Sequence, residues 1–297
     1  MASKLRHKMM TTSECVKRAL QIGFLLAPAL VAADGHLQKP SSAAELVKAV
    51  IHHEVSPASI NEIRWKYLLT KQVNGKEETK EVVETNSGSI ERLIAIAGRP
   101  LSSAQQHDET ERILKLSHNP EAQKRLEQSG RKDAEQTNAF MQMIPNAFLF
   151  EYAGESGDLV KVTFKPNPQF SNSSREAKVL REMQGEIWIN PKQQRLVSIH
   201  GQLMNDVKFA GGLLGHLEKG GQFSVKRAEI APGDWEMTDL AVSMQGKALL
   251  FKSISVQQKE LHRDFHRVPN NLTLSQAAGL LLQQASIAAQ PVIVAER

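Results

Sequence analysis

Few residues of this chain stand at spacings that chemistry could use, and each such group can be tested against the geometry that its chemistry requires. His262 and His266 are four apart in HRDFH, the spacing of a zinc-protease helix. Such a site needs a general-base glutamate directly after the first histidine, and Arg263 occupies that place. The surrounding pattern reads as a strand, where positions i and i+4 lie about 13 Å apart, too far to share one metal ion. His262-Arg263-Asp264 also imitates a kinase catalytic loop, but Pro269 stands where the magnesium-binding asparagine belongs. His52 and His53 are adjacent on a predicted helix, so their side chains diverge by about 100°.

The stretch FAGGLLGHLEKGG, residues 209–221, raises the question of a phosphate loop. Gly215 and Gly220 are followed by Gly221-Gln222, so the phosphate-reaching lysine and the metal-binding hydroxyl of a P-loop are both missing. Gly211, Gly212 and Gly215 read G-G-x-x-G outside any strand-helix unit, which fails the dinucleotide fingerprint. Ser87-Gly88-Ser89 does not make the G-x-S-x-G elbow of a serine hydrolase. Cys15 is the one cysteine. The reading is therefore a protein that is not an enzyme, with no metal and no cofactor.

The elements that would position any site begin after residue 33. Lys4, Arg6, Lys8, Lys17 and Arg18 precede the apolar run ALQIGFLLAPALVAA, giving the basic, apolar, small-residue order of a signal peptide cleaved near Ala33. The run holds Pro28 and is shorter than the roughly 20 residues that span a bilayer. Cleavage removes Cys15 together with five Lys/Arg and one Glu, which takes the formal charge from +5 to +1. A chain so close to neutral lacks the phosphate-neutralising charge that nucleic-acid binding uses. The expected location is the periplasm and the expected state a monomer.

Ser42 is placed to cap a helix carrying Leu46, Val47, Val50 and Ile51 on one face. The period then changes to two: EIRWKYLLTKQV, Asn74-Gly75 and EETKEVVET predict a hairpin, extended by SIERLIAIAG. Residues of about 102–144 read as a helical insertion of two helices, broken at Asn119-Pro120 and at Gly130. Ile113, Leu116, Leu126, Phe140, Met141 and Ile144 supply its inner face. Strands follow in AFLFEYAG, LVKVTFK, GEIWIN, QRLVSIHGQL, QFSVKRAEI, DWEMTDLAVSM and ALLFKSISVQ, with a last extended stretch through Phe265. Thr273 caps a terminal helix. Strands do not alternate with long helices, so a parallel doubly wound sheet is disfavoured. The expected class is mainly β with helices (α+β): a large curved antiparallel sheet or unclosed β-barrel of about eleven strands, helices covering its concave face. Residues 34–297 are read as a single domain.

Apolar surface is what remains to carry function. Trp65, Tyr67, Phe164, Trp188, Trp235 and Phe251 fall on predicted strands. They would either fill the core beneath the helices or line a cavity for acyl chains. Leu213, Leu214 and Leu217 need an apolar partner, either beneath a barrel rim or in a bilayer as a membrane-contact loop.

The order of elements, the leader, and GEIWINPKQQRLVSIHG and GKALLFKSISV resemble the bacterial lipoprotein-carrier superfamily over most of residues 41–290. FKPNPQF, GLLGHLEKGGQF and DFHRVPNNLTLSQA resemble secreted bacterial proteins described as lipoprotein-sorting-like. The resemblance implies an open antiparallel barrel of about eleven strands with helices over its mouth, and a periplasmic carrier of lipid or lipoprotein acyl chains with peripheral membrane contact. The helical insertion departs from the compact carriers, and no known lipid-binding position can be transferred. The alternative is an exported structural or protein-interaction module.

Overall fold

The computed structural model describes residues 42–55, 63–86, 88–212, 215–248 and 252–288. Residues 1–33, read from the sequence as a leader, and Leu213, Leu214 and Phe251 lie outside them. The helices among these residues are α1 (Ala43–Val55), α2 (Ser103–Ser117), α3 (Pro120–Ala147), α4 (Arg175–Leu180) and α5 (Leu274–Ala288). The strands are β1 (Arg64–Val73), β2 (Lys76–Thr85), β3 (Gly88–Ile96), β4 (Arg99–Pro100), β5 (Phe148–Ser156), β6 (Leu159–Pro166), β7 (Met183–Asn190), β8 (Arg195–Leu203), β9 (Val207–Phe209), β10 (Gly215–Leu217), β11 (Gln222–Ala231), β12 (Asp234–Ala248) and β13 (Lys252–Val268). They form one mostly antiparallel, unclosed 13-stranded sheet in the order β4-β3-β2-β1-β13-β12-β11-β8-β7-β6-β5, with β9 and β10 joined to β12.

The thirteen strands differ from the expected eleven for local reasons. KSISVQ, the described part of ALLFKSISVQ beyond Ala248, and the stretch through Phe265 belong to one strand, β13, while β4, β9 and β10 are pairs or triplets of residues too short to leave a period. Asn74 and Gly75 both adopt positive φ, 50° and 82°, as the predicted two-residue hairpin requires. Ser42 accepts from the Glu45 backbone N–H at 3.2 Å, and Thr273 from that of Gln276 at 3.2 Å, so both predicted caps form. The Gln276 side chain accepts in turn from the Thr273 N–H, completing a capping box. Asn119 caps α3 through the Ala122 N–H. The helix continues through Gly130, correcting the break expected there: one interior glycine costs only about 1 kcal/mol, which 28 residues of helix absorb.

The chain divides into two compact units. The larger contains α1, Gln72–Gly75 and Ala134–Leu261. Its core joins Leu46, Val47, Val50 and Ile51 of α1 to Met141 and Ile144 of α3 and to the inward residues of β5 to β8, β11 and β12. The smaller contains Ile63–Lys71, Lys76–Asp133 and the C-terminal segment from His262. Its core is Val83, Ile90, Ile113 and the apolar stripe Leu274, Ala277, Ala278 and Leu281 of α5, with Leu116 and Leu126 against it. The inner face predicted for the insertion is thus shared out: Ile113, Leu116 and Leu126 serve the smaller core, Phe140, Met141 and Ile144 the larger.

In the smaller unit the Glu84 side chain accepts from the Trp65 backbone N–H at 3.1 Å. Burial of its carboxyl outweighs this bond and the nearby Arg64, raising its pKa to about 8.

Candidate apolar face and its ionic anchor

The sheet of the larger unit has two faces whose chemistry follows from register. Val162, Ile187, Ile199, Val225 and Leu240 lie directly opposite one another across β6, β7, β8, β11 and β12. Two residues along runs a second inward row, Phe150, Phe164, Gly185, Gly201, Phe223 and Val242. At about 4.8 Å per strand, the aliphatic row is about 19 Å long. One apolar ribbon therefore crosses five strands.

The two facing glycines are what this ribbon needs at its centre. A Cβ at Gly185 would stand 2.7 Å from the Phe164 ring and would also strike the His200 backbone carbonyl; one at Gly201 would meet the Phe223 ring. The phenyl groups therefore lie on bare backbone, an arrangement that side chains at either glycine would forbid. Phe148 extends the aromatic surface, its ring 4.7 Å from that of Phe164.

α1 covers part of this face through contacts with β5 and β8. Its buried positions, Ala43, Leu46, Val47, Val50 and Ile51, follow the helical period, and the next place on the same stripe is Glu54. That carboxylate, 3% exposed, enters a buried ionic cluster. It accepts from Arg227 Nη1 at 2.6 Å and lies 3.7 Å from Arg195 Nη1. Arg227 also donates to the Trp235 backbone carbonyl, and Arg195 to that of Gly233 at 3.5 Å. Asp234 and Glu236 are buried beside them and act electrostatically on Arg195. Burial lowers the Arg195 pKa against the pull of Glu54. Burial first, then the Arg195 charge, holds the His53 imidazole below its usual range. The C-terminal turn of α1 is thus fixed by charge, and the rest of the helix by apolar contact.

The sequence-predicted aromatics are distributed among several environments. Phe164 is in the larger core. Trp235 is buried on β12, opposite Glu229 of β11. Trp188 sits between the buried Ile187 and Ile189 and so takes the other face of β7, where Lys161 lies 5.7 Å from its ring. Trp65 and Tyr67 belong to the smaller unit, where Tyr67 is stacked between His262, 5.1 Å away, and Phe265, 5.2 Å away. This stack exposes a bulge: Asp264 has φ of 57°, which shifts the alternation so that His262 and Phe265 share a face. His262 and His266 then point to opposite faces, instead of along one face as an unbroken strand would place them.

The described residues of FAGGLLGHLEKGG include the pairing of β9 with β10, with Gly215 opposite Phe209 and Leu217 opposite Val207. Phe209, Leu217 and Val207 are buried in the larger core. A Cβ at Gly246 of β12 would clash with the His216 carbonyl, so this glycine permits β10 to approach. Glu54 was missed as a cluster member although its place on the apolar stripe marks it. Glycines inside two facing strands were likewise a legible sign of close approach.

Among the described residues no His, Cys, Asp and Glu group of three or more is placed to hold a metal ion, and no helix is long and apolar enough to cross a membrane. No family model matches the sequence, and no curated protein matches it. A crystal structure of a DUF1329 family protein from Desulfovibrio piger is similar at a TM-score of 0.25 and 8% identity, over 76% of this chain and 91% of that one. A likeness at that level fixes neither register nor site.

Proposed function

We propose that this protein is exported to the cell envelope and there binds or carries the acyl chains of lipids or lipoproteins, with α1 as the movable cover of the binding face. The observation that carries this reading is the apolar ribbon through Val162, Ile187, Ile199, Val225 and Leu240 beneath a helix anchored by charge at its C-terminal end. Displacing α1 would bare the part of this apolar strip, about 19 Å long in all, that the helix covers through β5 and β8, and so open a way in for an extended acyl chain. An acyl chain in its place would restore the burial that Leu46, Val47, Val50 and Ile51 provide, each worth about 1.5–3 kcal/mol. The chemistry is binding and release, and the groups concerned are apolar side chains.

Native mass spectrometry of protein recovered from the envelope of its own host tests this. Co-purifying lipid that is displaced by added fatty acid is the expected result. A ligand-free protein that takes up neither fatty acid nor lipoprotein acyl chains would overturn the reading and favour an exported interaction module.

A further inference from the structure

The inward rows of the larger sheet do not stay apolar across all of its strands. β13 begins its inward face with Ile254 and Val256, which pack in or against the larger core, and continues it with Gln258 and Glu260. Register sets Gln258 opposite Val242 and Glu260 opposite Leu240. Each of the two apolar rows, followed one strand spacing of about 4.8 Å past β12, therefore arrives at a polar side chain. Gln258 is 2% exposed and Glu260 6%, and both belong to the larger unit. Contact with solvent does not account for polar residues so deeply placed.

The hydrogen bonding of this pair is incomplete at one defined atom. Gln258 Nε2 donates to Glu260 Oε1 at 2.8 Å. A carboxylate only accepts, so this bond fixes which end of the amide is nitrogen and leaves Gln258 Oε1 as the end that faces elsewhere. Buried there, Gln258 Oε1 has no hydrogen-bond donor among the described residues. Its own row cannot supply one, since Phe164, Gly185, Gly201, Phe223 and Val242 carry no side-chain donor. The buried acids Glu54, Asp234 and Glu236 stand beside arginine charges, whereas the inward positions of β13 from Ile254 to Glu260 include no cation. A buried acceptor without a donor is destabilising, and a ligand that brings the donor removes that penalty.

We infer that Gln258 and Glu260 receive the head group of the bound acyl chain, and that this head group is a hydrogen-bond donor without negative charge, such as an amide N–H. This rests on the acyl-chain reading above and adds the chemistry of the ligand's polar end. The tail lies along the apolar rows toward the part of the sheet that α1 covers, and the head group donates to Gln258 Oε1. A free carboxylate or a phosphate would bring a second negative charge beside the buried Glu260, with no cation on that face of β13 to offset it. The donor at the head thus decides which lipid is preferred, while the rows accept any chain.

Isothermal titration of the full chain at pH 7.5 tests the inference with three ligands of one chain length: N-methyldodecanamide, which has an N–H, N,N-dimethyldodecanamide, which has none, and dodecanoate. The N-methyl amide is expected to bind about tenfold more tightly than either of the others, the size of one buried hydrogen bond. Gln258→Leu, which puts an apolar group of similar size in place of the amide, should bring the two amides to within about threefold by weakening the N-methyl amide alone. The wild-type comparison stands even where the variant fails to fold. Equal affinity of the two amides for the wild type, or a preference that survives Gln258→Leu, would overturn the head-group assignment while leaving acyl binding in place. Absence of saturable binding for all three would overturn the acyl reading itself, and this inference with it.

Discussion

Replacing Glu54 with alanine isolates the contribution of the ionic anchor. At an effective dielectric constant of 20, a carboxylate 2.6 Å from one guanidinium and 3.7 Å from a second gains about 6 and about 4.5 kcal/mol before desolvation is counted. Desolvation of the buried ions returns several kcal/mol of this, so the net value of the group is far smaller. Its removal, however, leaves Arg227 and Arg195 buried without the carboxylate they share, with Asp234 and Glu236 as the remaining buried acids beside them. Breaking a buried pair in this way costs about 3–5 kcal/mol. At roughly 2–4 °C per kcal/mol, the thermal midpoint of the larger unit should fall by about 6–20 °C. The assay is circular dichroism melting at pH 7.5, alongside Glu54→Leu/Arg227→Met, which removes both charges and should recover part of the loss. The same single variant should bind an apolar fluorescent dye more strongly, since α1 then loses its charged fastening. A melting change within about 0.5 kcal/mol of wild type would refute the reasoning, because exposed pairs behave that way and buried ones do not.

Two further outcomes follow from other parts of the molecule. Glu84 is held protonated in the folded state up to about pH 8, so the folded protein binds a proton that the unfolded chain releases near pH 4.5. Its contribution is fully present below about pH 4.5 and is lost as pH rises through 8; Glu84→Gln should flatten the fall in melting temperature between pH 5 and 9, and an identical pH profile in the variant would contradict this. Gly201→Ala should cost about 1–3 kcal/mol in urea unfolding by forcing the Phe223 ring aside, and Gly185→Ala more, because there the added atom meets backbone as well as a ring; neutral effects at both would show that the sheet can open at this point.

Hairpins and caps were legible because each is specified by a few adjacent residues: Asn74-Gly75, Ser42, Thr273 and the turn at Asn190-Pro191 all stand where their local chemistry places them. The two faces of the larger sheet were also visible strand by strand, as alternation in Val160, Val162 and Phe164. What could not be read was register. Nothing within GEIW or HGQL alone says that Gly185 stands opposite Gly201, because strand pairing joins residues far apart in sequence. Trp188 was grouped with Phe164 for its residue type, although period-two alternation already separates it from Ile187 and Ile189. The bulge at Asp264 was hidden because a non-glycine residue at positive φ has no reliable sequence mark. Glu54 shows the converse: the helical period pointed to it, but the arginines it meets come from β8 and β11, more than a hundred residues later.

Photo-crosslinking with a diazirine-bearing palmitic acid, read by peptide mass spectrometry on the full chain, tests the central claim most directly. Adducts are expected on α1 and on the inward residues of β6 to β8, β11 and β12, reduced by unlabelled palmitic acid and increased in Glu54→Ala. Adducts confined to the opposite face of these strands, or none that unlabelled fatty acid displaces, would contradict acyl-chain binding beneath α1.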